Sequence, residues 1–310
     1  MESLNRMAVE LVDEAIDFAG ELNVDVLELD SGATVLDFGV TAAGGLEAGL
    51  LLAEIQTAGL ATIQTRMDEV AGTPFPHVEL TTDKPALSLL CSQKAGWELV
   101  AEDFDGLGSG PARALVGEEY EFEVVGYYDE FDLTVLTVEA DTLPGDAAAE
   151  QVADRAGVAP SGVFLPTYPT GSMVGSVSAA ARAPELALFR LFELGYDPTD
   201  VVSAAGSAPV APVSHDEAVA MGRTNDALAY GGEVYLQVRE DFDRFDEVPS
   251  TAAEAYDTPF EQVFEDADWD FYEVPESVFA PAQVTIDVID GPTYALGETN
   301  HDLLAESFGL

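Results

Sequence analysis

A chain of 310 residues with 47% hydrophobic content can bury one large core or two moderate ones, so two domains are expected and neither disulfides nor metals are needed to complete them. The 59 Asp and Glu against 11 Lys and Arg give a formal net charge of -48 spread along the whole length, which leaves no basic stripe for nucleic acid or an anionic membrane. Self-repulsion of that size is tolerable only when screened, as at molar salt where the Debye length is about 3 Å, and the composition is that of a cytoplasmic protein of an extreme halophile.

From Ser3 to Leu22 the residues Leu4, Met7, Ala8, Leu11, Val12, Ala15, Ile16, Ala19 and Leu22 recur at helical spacing, which predicts one amphipathic helix capped by Ser3. Val24 to Leu29 and Ala33 to Val40 flank the turn signal Asp30-Ser31-Gly32 and read as a hairpin, after which Gly44-Gly45 opens a helix over Leu46 to Ala58. Gly106-Leu-Gly-Ser-Gly-Pro-Ala-Arg113 reads as a tight loop entering a helix. Pro111 falls where a dinucleotide fingerprint needs its third glycine, and no Gly-Lys-Ser/Thr follows. Glu121 to Tyr128 and Leu133 to Ala140, around Asp129 to Asp132, read as a second hairpin. A helix over Ala147 to Ala156 should end on Gly157, and another should run from the Pro166 to Gly175 passage through Phe192 to stop at Gly195. His215 to Tyr230 reads as helix, Glu233 to Val238 as strand, the acidic and aromatic run Glu240 to Pro275 as a solvated face, and Ala282 to Ile289 with Thr293 to Leu296 as a last hairpin. Helices and hairpins interleave without regular strand–helix alternation, so the fold class is α+β, two mixed α/β domains. The division is placed at 1–145 and 146–310, with a discontinuous one left open.

A single cysteine, Cys91, excludes an intramolecular disulfide, and the dispersed His77, His215 and His301 match no zinc spacing, so no metal is expected. The apolar run Leu46 to Ile63 is interrupted by Glu47, Glu54 and Gln56, and the N-terminus has no charged-then-apolar leader, so neither a membrane span nor export is expected.

Where cations are this scarce, each one draws attention. Arg182 stands three residues before Glu185, and Pro184 suits the first turn of a helix whose positive end would lie near that carboxylate. Such a pair is ordinarily a surface ion pair worth a few tenths of a kcal/mol. Here it follows Thr170-Gly-Ser-Met-Val-Gly-Ser176, where small residues around Ser172 allow a ligand to come close, and Ala179 to Ala181 leave room beside it. Burial raises a carboxylate pKa and a guanidinium lowers it, and the two together can poise an ionised general base. Arg113, with backbone N–H groups, is the other candidate for holding an anionic or heteroaromatic ligand.

Seven stretches in order, Gly44-Gly-Leu-Glu-Ala-Gly49, Ser92-Gln-Lys-Ala-Gly-Trp97, Gly108-Ser-Gly-Pro-Ala-Arg-Ala-Leu115, Pro169-Thr-Gly-Ser-Met-Val-Gly-Ser176, Arg182 with Glu185, Met221-Gly-Arg-Thr-Asn-Asp226 and Phe279-Ala-Pro-Ala282, carry a nearly end-to-end likeness. On them the chain resembles the archaeal methenyltetrahydromethanopterin cyclohydrolases. The resemblance implies a homotrimer of two-domain subunits with a pterin site in the interdomain cleft, and a reaction needing no metal, nucleotide or other cofactor, because the reduced pterin carrier is itself the substrate. Water would add to the methenyl carbon between nitrogen-5 and nitrogen-10 and the adduct would open to the nitrogen-5 formyl form. Glu185 would match the general base, Arg182 the residue that tunes it, and Gln93, Lys94 and Ala95 the segment completing the site. Arg223, Asn225 and Asp226 are expected to read the pterin edge or to cap a helix. The small residues before Arg182, and Pro184 itself, depart from the family pattern, which leaves the carrier open between methanopterin and tetrahydrofolate. A pterin-binding protein without activity is the alternative to an enzyme.

Overall fold

Two sheets, each with its own helices, divide the chain into compact units that interleave in sequence: Met1–Ala61 with Leu87–Ser178, and Thr62–Ala86 with Ala179–Leu310. The structure, a computed structural model, describes residues 2–101, 104–267 and 274–310. Residues 146–178 thus group with the first unit and 62–86 with the second, where the sequence reading placed one cut after residue 145.

The first unit opens with α1 (Leu4–Asp17), capped as expected by Ser3, whose hydroxyl accepts the Arg6 N–H at 3.1 Å. The helix foreseen as continuous to Leu22 breaks at Phe18 (φ -110°, ψ 20°), and the short α2 (Ala19–Leu22) ends on Asn23 in the left-handed region. Strands β1 (Asp25–Glu28) and β2 (Thr34–Asp37) form the predicted antiparallel hairpin, and α3 runs over Leu46–Gln56. The chain then leaves for the second unit through β3 (Thr62–Val70) and β4 (Thr73–Thr82), an antiparallel hairpin that the sequence reading passed over.

It returns through a π-helix, Ala86–Gln93, followed by the antiparallel pair β5 (Ala95–Ala101) and β6 (Phe104–Ser109). The first half of the glycine-rich stretch, Gly106 to Ser109, is therefore strand rather than loop. It stays bare because a Cβ on Gly106 would lie 2.7 Å from Val138 and one on Gly108 2.9 Å from Leu136. Only the end of the stretch enters a helix, α4 (Ala112–Val116). The hairpin expected over 121–140 is also corrected: Tyr120–Val125 is a helix, α5, and β7 (Thr134–Val135) and β8 (Thr137–Glu139) pair in parallel with a later strand. Glu121 in that helix, and Glu119 at its N-cap, meet basic partners described below, so the aromatic spacing was no guide to a pleat. Helix α6 (Asp146–Ala156) ends as foreseen on Gly157 at φ +72°, and β9 (Val163–Tyr168) leads to α7 (Met173–Ala180). The sheet order is β1-β2-β9-β8-β6-β5, with β7 also on β9. Both faces are covered: Leu36, Leu52, Ile55 and the α1 residues Leu4, Ala8 and Val12 form one core, and Val35, Leu99, Val138, Leu165 and the α6 residues Ala149 and Val152 the other.

The second unit resumes with α8 (Ala183–Glu193), so the helix expected to run unbroken to Phe192 is two helices. Strand β10 (Val201–Pro209) follows, then α9 (Glu217–Gly231), capped by Asp216, and β11 (Glu233–Val238), at the residues predicted. Helix α10 (Phe260–Asp266), the predicted hairpin of β12 (Gln283–Val288) with β13 (Thr293–Gly297), and α11 (His301–Phe308) complete it. The order is β13-β12-β11-β10-β4-β3, antiparallel except where β11 meets β12. Along β11 and β12 burial alternates, with Val234, Leu236, Val284 and Ile286 inside and Glu233 and Tyr235 outside. The acidic run from Glu240 is more than a solvated face: Asp241 and Asp243 are exposed, but Phe245, Phe260 and Phe264 are core, and its residues 268–273 lie outside the described residues. Among the described residues no helix is long and apolar enough to cross a membrane.

Candidate active site

In the second unit, Arg182 occupies the N-cap position of α8 and Glu185 its first turn. The Arg182 guanidinium donates from Nη1 to Glu185 Oε2 at 3.1 Å, and Glu185 is only 3% exposed. This is not the surface pair that spacing alone would give. The carboxylate is desolvated, and the adjacent guanidinium and the positive end of α8 both favour its ionised form. The helix start is fixed from beneath. α8 packs on β10 and β11, and Pro184 in its first turn lies against Gly206 of β10, where a Cβ would fall 2.8 Å from the proline Cγ and 2.9 Å from the Glu233 carbonyl oxygen.

In the first unit the π-helix delivers the segment Gln93-Lys94-Ala95. Its wide turn persists to the Lys94 N–H, which donates to the Leu89 carbonyl at 2.8 Å. Gln93 is fully buried, and Ala95 opens β5 opposite Ser109. Arg113 is wholly enclosed and its guanidinium is spent on the backbone of this segment: Nη1 donates to the carbonyls of Leu90 (3.1 Å), Ser92 (3.3 Å) and Lys94 (2.7 Å). Its Nε and Nη2 bind Glu119, Nε at 2.9 Å. The Lys94 ammonium lies 2.6 Å from Glu121 and 3.4 Å from Glu119. Burial pushes the Glu119 carboxyl up, but Arg113 and Lys94 outweigh it and hold that group below its ordinary range. Ser172, also in this unit, caps α7: its hydroxyl donates to the Pro169 carbonyl (2.8 Å) and accepts the Gly175 N–H (3.0 Å).

Arg223, Asn225 and Asp226 share α9, and their polar atoms are engaged within the second unit. Arg223 Nε donates to the Ser307 carbonyl at 3.0 Å, and Asn225 donates to the Met221 carbonyl at 2.9 Å. Asp226, 2% exposed, accepts the Phe260 N–H at 2.9 Å and the Ser307 hydroxyl at 2.6 Å, tying α9 to α10 and α11. Burial pushes its carboxyl up to about 6, against the pull of Ser307 and Phe260 and with Glu261 adding to the rise.

The residues that sequence reasoning missed are Glu119, Glu121 and Gly206. Two acids are invisible among 59, and only their contacts with Arg113 and Lys94 single them out; the signal that existed was those two cations themselves, which needed counter-charges. Among the described residues no group of three or more His, Cys, Asp or Glu side chains is placed to hold a metal ion.

A buried, guanidinium-paired carboxylate at a helix start, in a two-sheet α+β protein, is a group chemically able to serve as a general base. The family model described as "Cyclohydrolase (MCH)" matches residues 3–308, and the chain belongs to that family of hydrolases. It is 62% identical over 310 residues, the full length of both chains, to the methenyltetrahydromethanopterin cyclohydrolase of Halobacterium salinarum. It is 40% identical over 314 residues to that of Methanosphaerula palustris, again over all of both chains, and 41% identical over 320 residues to that of Methanothermobacter marburgensis, with the same full coverage.

Proposed function

We propose that this chain is a cytoplasmic methenyltetrahydromethanopterin cyclohydrolase. Glu185 takes a proton from a water as its oxygen bonds to the cationic methenyl carbon, and the adduct then releases its carbon–nitrogen-10 bond to leave a formyl group on nitrogen-5. One of the two water protons ends on nitrogen-10 and the other passes to solvent, so a cation and water give a neutral formyl pterin and one proton. The amidinium-like carbon is already electrophilic, so the protein need only deprotonate a water and hold it about 3–3.5 Å from that carbon, without a cofactor. The observation that carries the reading is the buried Arg182–Glu185 pair.

Arg182 keeps Glu185 ionised and places the water, and Lys94 donates toward the developing formyl oxygen, with Gln93 and Ala95 beside it. Arg113 acts by holding the Lys94 backbone, and Ser172 by starting α7 where only small side chains leave room for substrate. Arg223, Asn225 and Asp226 support the wall of the site from α9. The methanopterin carrier is favoured over folate by the names of the relatives, the halobacterial one at 62% identity among them. The assembly is taken to be a homotrimer on the family resemblance.

The test is the ultraviolet absorbance of methenyl pterins mixed with the protein at molar salt. Wild type should hasten the decay of the methanopterin form more than that of the folate form, and Glu185→Gln should bind but lose about 10²–10⁴-fold in turnover. A stable bound spectrum with wild type would instead mark a pterin-binding protein.

A further inference from the structure

Among the described residues the buried acids are Asp37, Glu121, Glu185 and Asp226. Asp37 is spent on its own loop, accepting from the N–H groups of Gly39, Val40, Thr41 and Ala42, and Asp226 on the joints of α10 and α11. Glu185 faces Arg182, and Glu121 faces Lys94 at 2.6 Å. A carboxylate out of water is costly unless it is paired, and in a chain with so many acids at the surface its burial is not a matter of solubility.

The neighbouring contacts divide the labour. Arg113 fixes the main chain before and at Lys94 through three carbonyls, and Glu119 locks that guanidinium in place. Gly96, just beyond, leaves the room this needs, since a Cβ there would lie 2.9 Å from Glu119 Oε2 and 3.2 Å from Arg113 Nε. With the backbone held, the flexible Lys94 stem is directed by the partners of its ammonium, among which Glu121 at 2.6 Å stands nearer than Glu119 at 3.4 Å. Lys94 and Arg113 against Glu119 and Glu121 make a charge-balanced set.

We propose that Glu121 is a positioning residue of the reaction: it aims the Lys94 ammonium, while Arg113 and Glu119 fix the backbone that carries it. The inference rests on the proposed role of Lys94. An ammonium that meets charge developing in the transition state acts on kcat more than on KM.

The chain has only two lysines, Lys84, which is exposed, and Lys94, so an amine-acylating reagent read by mass spectrometry reports the freedom of Lys94 with Lys84 as internal reference. In Glu121→Gln, kcat should fall about tenfold with KM within about twofold, and labelling of Lys94 relative to Lys84 should rise several-fold. Should that variant not fold, Glu121→Asp keeps the charge, draws the ammonium back by one methylene and carries the same readouts. An active wild type whose Glu121 variant keeps its kcat, or shows no rise in Lys94 labelling, overturns the role of Glu121. A wild type inert toward methenyl pterins instead sinks the enzymatic reading on which it stands.

Discussion

Adding one methyl group at Gly206 tests whether the contact beneath α8 places Glu185, the proposed base. The new Cβ would stand 2.8 Å from Pro184 Cγ, 3.1 Å from its Cδ and 2.9 Å from the Glu233 carbonyl oxygen. Ordinary carbon contacts need about 3.5–4.0 Å, so the Pro184 Cγ must yield by roughly 0.7–1.2 Å. The Glu233 carbonyl belongs to β11, at the centre of the sheet, whereas Pro184 heads a helix, so the helix start is the part that moves and Glu185 moves with it. Overpacking costs about 1–3 kcal/mol, and the loss of glycine freedom in the unfolded chain offsets about 0.4–1 kcal/mol of it. A displacement of about 1 Å at the base, by contrast, costs about 10²-fold in rate. Gly206→Ala is therefore expected to melt slightly below wild type at molar salt yet lose most of its turnover on a methenyl pterin. Gly20→Ala, where a Cβ meets nothing within 4 Å, should change neither by much. Turnover of the Gly206 variant within twofold of wild type would refute the idea that this contact sets the position of Glu185.

Two further outcomes are expected. The native Asp226 carboxyl keeps its proton up to about 6, while the unfolded chain loses it near about 3.9, so stability falls as pH rises through that interval and the full penalty applies above it. Asp226→Asn, which can still accept from Phe260, should raise the melting temperature at pH 8 but not at pH 4, and an unchanged melting curve at pH 8 would contradict the burial argument. The charge of -48 predicts unfolding on dialysis to about 0.1 M salt, followed by circular dichroism, and a cooperative melt surviving there would remove the halophilic reading of the composition.

Punctuated elements were legible from sequence. Gly157 closes α6, Asp30 to Gly32 turn the first hairpin, and β11 falls at its predicted residues because the alternation of Val234, Leu236 and Val238 is clean. The long hairpin of β3 and β4 was not, because Pro74 and Pro76 interrupt it and its partner β10 lies far along the chain. The region 120–125 was misread because its aromatics suggest a strand, whereas a helix brings Glu121 to Lys94, a long-range charge contact that no local pattern encodes. Arg182 with Glu185 was legible as a pair from spacing, but its burial was not, since that comes from the packing of α8 on the sheet. Arg113 stood out as a scarce cation and was expected to hold a ligand, whereas its guanidinium is bonded to Glu119 and to main-chain carbonyls. That arrangement, with the carbonyls of Leu90, Ser92 and Lys94, depends on a π-helix that composition does not announce.

The early hairpin has a consequence for synthesis on the ribosome. β4 is complete at Thr82, but β10, which pairs along it, begins only at Val201. At roughly 5–20 residues per second the nascent chain must carry an open strand edge for on the order of ten seconds. Prolines at 74 and 76, with Glu79 on the strand and Asp68, Glu69 and Asp83 beside it, are of the kinds that blunt such an edge. Negative charge would thus serve the chain while it is still being made as well as after it has folded.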